Sequence, residues 1–192
     1  METGKYRVLD DFKIEKKVPI ELIHAYQDKL PKQIIQIWEE YGFGSFMNGF
    51  LRTINPNEFQ NILQRAYFMG MKSIPVFVTA LGDMIVWEEN SYLTILRFRH
   101  GTFSIMEKGF NYFLNDLTDD EYVEEFLKPI NYYIALQNQG AIGYDECFGY
   151  VPLLCLGGPE DPDWLKKVKL LEHMELILAI ADCSARMTPA AP

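Results

Sequence analysis

Residues 74–108 read IPVFVTALGDMIVWEENSYLTILRFRHGTFSIMEK, and this stretch decides the fold. Apolar and β-branched residues recur at the period of two that a half-buried strand requires, broken at Leu81-Gly82-Asp83 and again at His100-Gly101. The spacing predicts two successive hairpins, hence a four-stranded antiparallel meander. Strand alternation should send Val76, Val78, Ile85 and Trp87 inward and expose Arg97, Arg99 and one of Glu88 and Glu89.

Upstream the period becomes helical. Pro19 stands where a first helical turn accepts proline, and Ile20, Leu22, Ile23 and Tyr26 make an apolar stripe. Pro31 opens a second helix, with Ile34, Ile35, Ile37, Trp38 and Tyr41 on one face and Gly42 as its left-handed stop. GFGSFMNGF (42–50) is glycine-punctuated and leads to a short strand over 51–54. Asn55 caps a third helix with Pro56 at its first position and Phe59, Ile62, Leu63, Ala66 and Tyr67 as its buried stripe. These elements form a first unit, 1–108.

A second unit, 109–187, starts with Phe110, Tyr112, Phe113 and Leu114. TDDE (118–121) has a capping-box pattern before the apolar Tyr122, Val123, Phe126 and Leu127. Pro129 resets the chain into INYYIALQNQ, a helix that Gly140 ends, and AIGYDECFGYVPLLCLGG leads into a short buried strand. Val168, Leu171, Met174, Leu178 and Ala181 have near-helical spacing, while residues 166–170 read equally as a strand before that helix. Residues 188–192 should fray. The fold class is α+β: helices packed on an antiparallel meander, then a smaller, mostly helical unit with a short strand.

Hydrophobic residues make up 48% of the 192, which excludes disorder as the main state, and no apolar run approaches the ~18 residues of a membrane span. The first residues carry charge but no apolar signal region. Cys147, Cys155 and Cys183 are sparse and form no CxxC pair, which argues for a reducing compartment, the cytoplasm, and against a disulfide framework or zinc site. Of the net charge of −9, none arises in residues 1–100, which hold 12 acids and 12 bases; the rest holds 15 acids and 6 bases. Such a surface repels phosphate and attracts basic partners, so nucleic acid is not the expected ligand.

Six acids fall within ten residues: Asp116, Asp119, Asp120, Glu121, Glu124 and Glu125. Their structural role is to complement a helix dipole; their functional role is to mimic phosphates in the basic groove of a nuclease. Asp145 and Glu146, and also Glu160, Asp161 and Asp163, extend that surface if they fold onto the same face. Phe43, Phe46 and Phe50 are core residues or partner anchors. Trp38, Trp87 and Trp164 are assigned to packing. His24, His100 and His173 are scattered, and no HExxH or GxSxG motif is present. Cys147 would act as a nucleophile only beside a base. Neither an enzyme nor a cofactor is called for.

Two segments together resemble a known architecture. LPKQIIQIWEEYGFGSFMNGFLRTINPNEF with TALGDMIVWEE is similar to the GAD-like domain, through Trp38, Tyr41, Gly42, Asn55, Pro56, Phe59, Leu81, Gly82 and Asp83. CFGYVPLLCLGGPE followed by KKVKLLEHMELI resembles the C-terminal domain of type VI secretion immunity proteins, through Gly149, Tyr150, Pro152, Leu154, Leu156, Gly157, Gly158 and His173. The resemblance implies a cytosolic bacterial immunity protein that binds and neutralises a cognate toxin, often a DNase. A non-catalytic acidic interaction scaffold would share the same composition.

Overall fold

The computed structural model describes residues 6–180 and 187–190. Its elements are β1 (Lys13–Lys16), α1 (Ile20–Tyr26), α2 (Lys32–Glu40), β2 (Phe43–Phe46), β3 (Leu51–Thr53), α3 (Pro56–Ala66), β4 (Ser73–Thr79), β5 (Met84–Glu88), β6 (Tyr92–Arg97) and β7 (Thr102–Lys108). Then follow α4 (Phe113–Asp116), α5 (Asp120–Phe126), α6 (Ile130–Gln139), β8 (Glu146–Tyr150), β9 (Leu165–Lys169), α7 (Leu170–Ala179) and β10 (Thr188–Pro189).

The fold is α+β, as the alternation implied, but the sheet is wider than four strands. Its order is β1-β2-β3-β4-β5-β6-β7-β10, antiparallel from β1 to β7, with β10 parallel to β7. The charged N-terminal arm supplies β1, and the aromatic GFGSF segment supplies β2. Thr188 and Pro189, expected to fray, pair with Thr102 and Phe103 instead, because the edge of β7 offers them free backbone groups. Residues 165–169 resolve as a strand paired with β8, so the last helix begins only at Leu170.

Register places side chains from neighbouring strands on shared faces. Phe77, Ile85 and Ile95 are successive cross-strand partners and lie in one apolar core with α1, α2 and residues of α4 and α6. Val78, Met84 and Leu96 are the alternate set and lie in a second core with α3 and α7. The two faces of the central strands are therefore both buried. A bulge between Pro75 and Phe77 breaks the alternation, so Val76 and Val78 fall in different cores rather than on the shared face expected of them. Two-sided burial also corrects the expectation for Arg97 and Arg99, which are 7% and 8% exposed. Glu88 is buried and accepts a hydrogen bond from Tyr67 Oη at 2.8 Å, while Glu89 is exposed.

Phe43, Phe46 and Phe50 are core residues, as are Trp38 and Trp87; Trp164 is 45% exposed and does not fill the packing role assigned to it. Gly42 adopts φ +82° after α2, and a Cβ there would lie 2.5 Å from the Lys16 carbonyl oxygen, so glycine both ends the helix and lets β1 approach β2.

At Gly149 a Cβ would lie 2.4 Å from the His173 ring. Gly149→Ala should therefore cost roughly 1–3 kcal/mol by overpacking, read as a lower urea midpoint. Combining it with His173→Ala should recover part of the loss, giving a non-additive double-mutant cycle.

Candidate functional site

Helix α5 carries most of the acids that the sequence singled out. Asp119, not Thr118, is its cap: one carboxylate oxygen accepts from the Glu121 amide at 2.8 Å and from the Tyr122 amide at 3.4 Å. Tyr122, Val123 and Phe126 turn inward and pack against the larger core, with Tyr122 and Phe126 ring centroids 4.9 Å apart. The helical period then leaves Asp120, Glu121, Glu124 and Glu125 exposed on the opposite side. None of these four pairs with a cation among the described residues.

Asp116 differs from them. It is half-buried, and its charge, after burial, helps push the Glu107 carboxyl on β7 up to about 7. Glu107 Oε1 and Tyr122 Oη are buried without hydrogen-bond partners, and burial followed by the charge of Glu107 raises the Tyr122 phenol as well.

Asp145 and Glu146 do not extend this surface. Their carboxylates lie 2.7 and 3.7 Å from Lys169 Nζ, and Glu146 also accepts from the Gly143 amide at 2.8 Å. The hydrogen bond from Lys169 holds the Asp145 carboxyl below its ordinary range. Asp145 lines a groove with Lys16 of β1 and Glu58 of α3, whereas α5 is tied to β6, where Arg97 donates to the Phe126 carbonyl at 2.8 Å. Sequence proximity could not reveal this separation, since β4 and β5 stand between β3, where Arg52 holds the Glu146 carbonyl, and β6.

Polar side chains join the halves of the chain. Buried Arg52 donates through Nη1 to the Tyr144 carbonyl at 2.8 Å and to the Glu146 carbonyl. Tyr144 Oη donates to the Thr53 carbonyl at 2.6 Å, Tyr132 Oη to the Asn48 carbonyl at 2.6 Å, and the Phe148 amide to the Ala80 carbonyl at 2.7 Å. Several residues that carried the resemblance converge here. Asp83 is buried 3.4 Å from Arg99 Nε, Gly82 faces Cys147 and His173, and His173 lies against Gly149. Burial pushes the Asp83 carboxyl up, opposed by the charge of Arg99, and pulls His173 down toward its neutral form. Gly82, Asp83, Gly149 and His173 thus mark an internal joint, while Pro152, Leu156 and Gly157 of the second motif are exposed. Apart from the weak alternation of RFR, no signal in the sequence distinguished Arg52, Arg97 and Arg99 from surface arginines.

Cys147 is fully buried, and burial pushes its thiol up to about 12, so it is no activated nucleophile. Cys155 is disulfide-bonded, which corrects the expectation of an all-thiol chain; Cys183 lies outside the described residues. Among the described residues no cluster of three His, Cys, Asp or Glu side chains could hold a metal, and no helix is long and apolar enough to cross a membrane.

Fold and surface thus define an acidic α+β protein in which helices from both halves cover the faces of one large sheet and a short acidic helix lies at the surface. Residues 7–98 match the GAD-like domain, and residues 107–181 match the C-terminal domain of the T6SS immunity protein Tdi1. The chain thus joins a GAD-like domain to a C-terminal domain of the Tdi1 type, in the order that the motifs implied. The crystal structure of Atu4351 from Agrobacterium tumefaciens has the same fold, with a TM-score of 0.75 at 16% identity over 98% of this chain and 94% of that one. No curated protein matches the chain.

Arg52→Ala would leave two interior carbonyls without a donor and should cost about 3 kcal/mol in urea unfolding. Glu107 holds its proton more tightly folded than unfolded, so folding takes up protons, and stability should fall as pH rises from about 4.5 to about 7 and then level off. Glu107→Gln should flatten that part of the profile of urea midpoint against pH.

Proposed function

We propose that this immunity protein neutralises a nuclease toxin by direct binding, laying the acidic face of α5 in the groove where the toxin holds nucleic acid. The observation that carries the reading is the set of four exposed carboxylates, Asp120, Glu121, Glu124 and Glu125, which have no cationic partner among the described residues and lie on one side of a capped helix. A nuclease groove is basic because it must hold a polyanion. Carboxylates fixed on a helix speed association with such a groove and exclude DNA without any chemistry. The protein itself acts as a non-catalytic inhibitor with no cofactor, membrane or nucleic-acid ligand. Asp119 contributes by capping the helix, and Asp116 by its charge beside Glu107. Asp145 and Glu146, tied to Lys169, drop out of this contact surface.

Neutralising a toxin before its export places the protein in the cytoplasm; the disulfide at Cys155 is the observation that weighs against that compartment.

The test is to co-express the product of the adjacent open reading frame with and without this chain, scoring growth, DNA integrity and recovery of a complex. Toxicity with DNA breakdown, relieved through a stable one-to-one complex, is the expected result. A harmless neighbour, or rescue without binding, would sink the reading in favour of an acidic scaffold. Reversing Asp120, Glu121, Glu124 and Glu125 to lysine should weaken the complex by more than about tenfold and reduce its salt dependence. Asp119 is left intact in that variant so that the helix keeps its cap.

A further inference from the structure

Beside α5, the end of β6, the β6–β7 turn and the link from α5 to α6 enclose a cleft of about 720 Å³, lined in part by Arg97, His100, Ser104, Glu125 and Lys128. Arg97 is almost wholly buried, yet its two hydrogen-bond acceptors are neutral: Ser104 Oγ at 2.9 Å and the Phe126 carbonyl at 2.8 Å. The buried carboxylate of Asp83 lies in ion-pair range of Arg99 and acts on Arg97 only from beyond that range. His100 is matched by Glu160 at 2.9 Å. Lys128 has no ionic partner among the described residues. It also occupies a left-handed conformation, φ +46°, just after α5, where its own amide and that of Leu127 both reach the Val123 carbonyl. Glycine takes that position without strain; a lysine there carries strain and lines the same cleft as Arg97.

We propose that this cleft receives a carboxylate carried by the toxin, so that the toxin-binding face is bipolar: acids on α5 meet toxin cations, while Arg97 and Lys128 meet a toxin acid. The proposal rests on the reading of α5 as the toxin contact and names a second contact beside it. Charge complementarity favours a carboxylate on a basic protein over free phosphate or nucleic acid. Glu125 in the cleft wall and the other α5 acids repel a polyanion, whereas a basic partner brings its single acid in with cations that those residues attract. Opposite charges side by side also fix register, which an all-acid face cannot do.

The whole chain is titrated with a blocked KKEKK peptide, its KKQKK counterpart and inorganic phosphate, following backbone amides by NMR. KKEKK should shift the amides of Arg97, Ser104 and Lys128 saturably, and KKQKK should bind about tenfold more weakly. Lys128→Gly should erase that difference while its melting temperature stays equal or rises, because glycine relieves the left-handed strain. Equal binding of the two peptides, a difference that survives in Lys128→Gly, or saturation of the same amides by phosphate would each overturn the proposal. In the toxin complex, Lys128→Gly should weaken affinity about tenfold. Unchanged affinity there overturns the cleft contact even if reversal of the α5 charges abolishes binding, which separates this proposal from the reading it rests on.

Discussion

The central strands of the sheet have no solvent face. Phe77, Ile85 and Ile95 point into one core and Val78, Met84 and Leu96 into the other, so helices must cover both sides before the sheet is stable. One GAD-like half cannot do this alone: α1 and α2 cover part of one face and α3 part of the other, and α4, α6 and α7 from the second half complete them. Apolar burial at roughly 25 cal/mol per Å² makes this the dominant favourable contribution. It also explains why the two families of motif occur together in one chain, each half filling surface the other leaves open.

Polar groups trapped by that enclosure set the joint between the halves. Arg52 is held by the Tyr144 and Glu146 carbonyls, and Arg99 lies beside Asp83. A cation in a dry interior is tolerated only with such partners, and removing a partner costs more than the pair contributes. The motif glycines serve the same joint, since Gly149 leaves room for the His173 ring and Gly82 takes the left-handed turn, φ +78°, that sets it beside Cys147. Several of the most recognisable residues of the chain, Gly82, Asp83, Gly149 and His173 among them, are thus internal.

The proposed toxin contact lies beside β6, away from this joint. Helix α5 buries only the inner sides of Tyr122, Val123 and Phe126, and this shallow seating presents its acids outward. Arg97 links the helix to β6 by donating to the Phe126 carbonyl, so the acidic face and the cationic cleft beside it are positioned by the same side chain. A protein that inhibits by contact needs such rigidity, because ordering a mobile surface on binding would cost affinity.

Periodicity, capping residues and turn glycines determined the local elements from sequence alone. Asn55-Pro56 starting α3, Gly42 ending α2 and the two hairpins of residues 74–108 all follow from backbone sterics and hydrogen bonding within a few residues. The motifs likewise pointed to the two domains, and packing at the joint accounts for several of their residues. Tertiary structure alone decided what depends on distance between chain segments. It brought β1, β2 and β10 onto the meander, buried Arg97 and Arg99 under helices from the second half, and set Asp145 and Glu146 apart from α5. Burial and charge proximity are sums over neighbours far apart in the chain, and a one-dimensional pattern carries no record of which segments will be those neighbours.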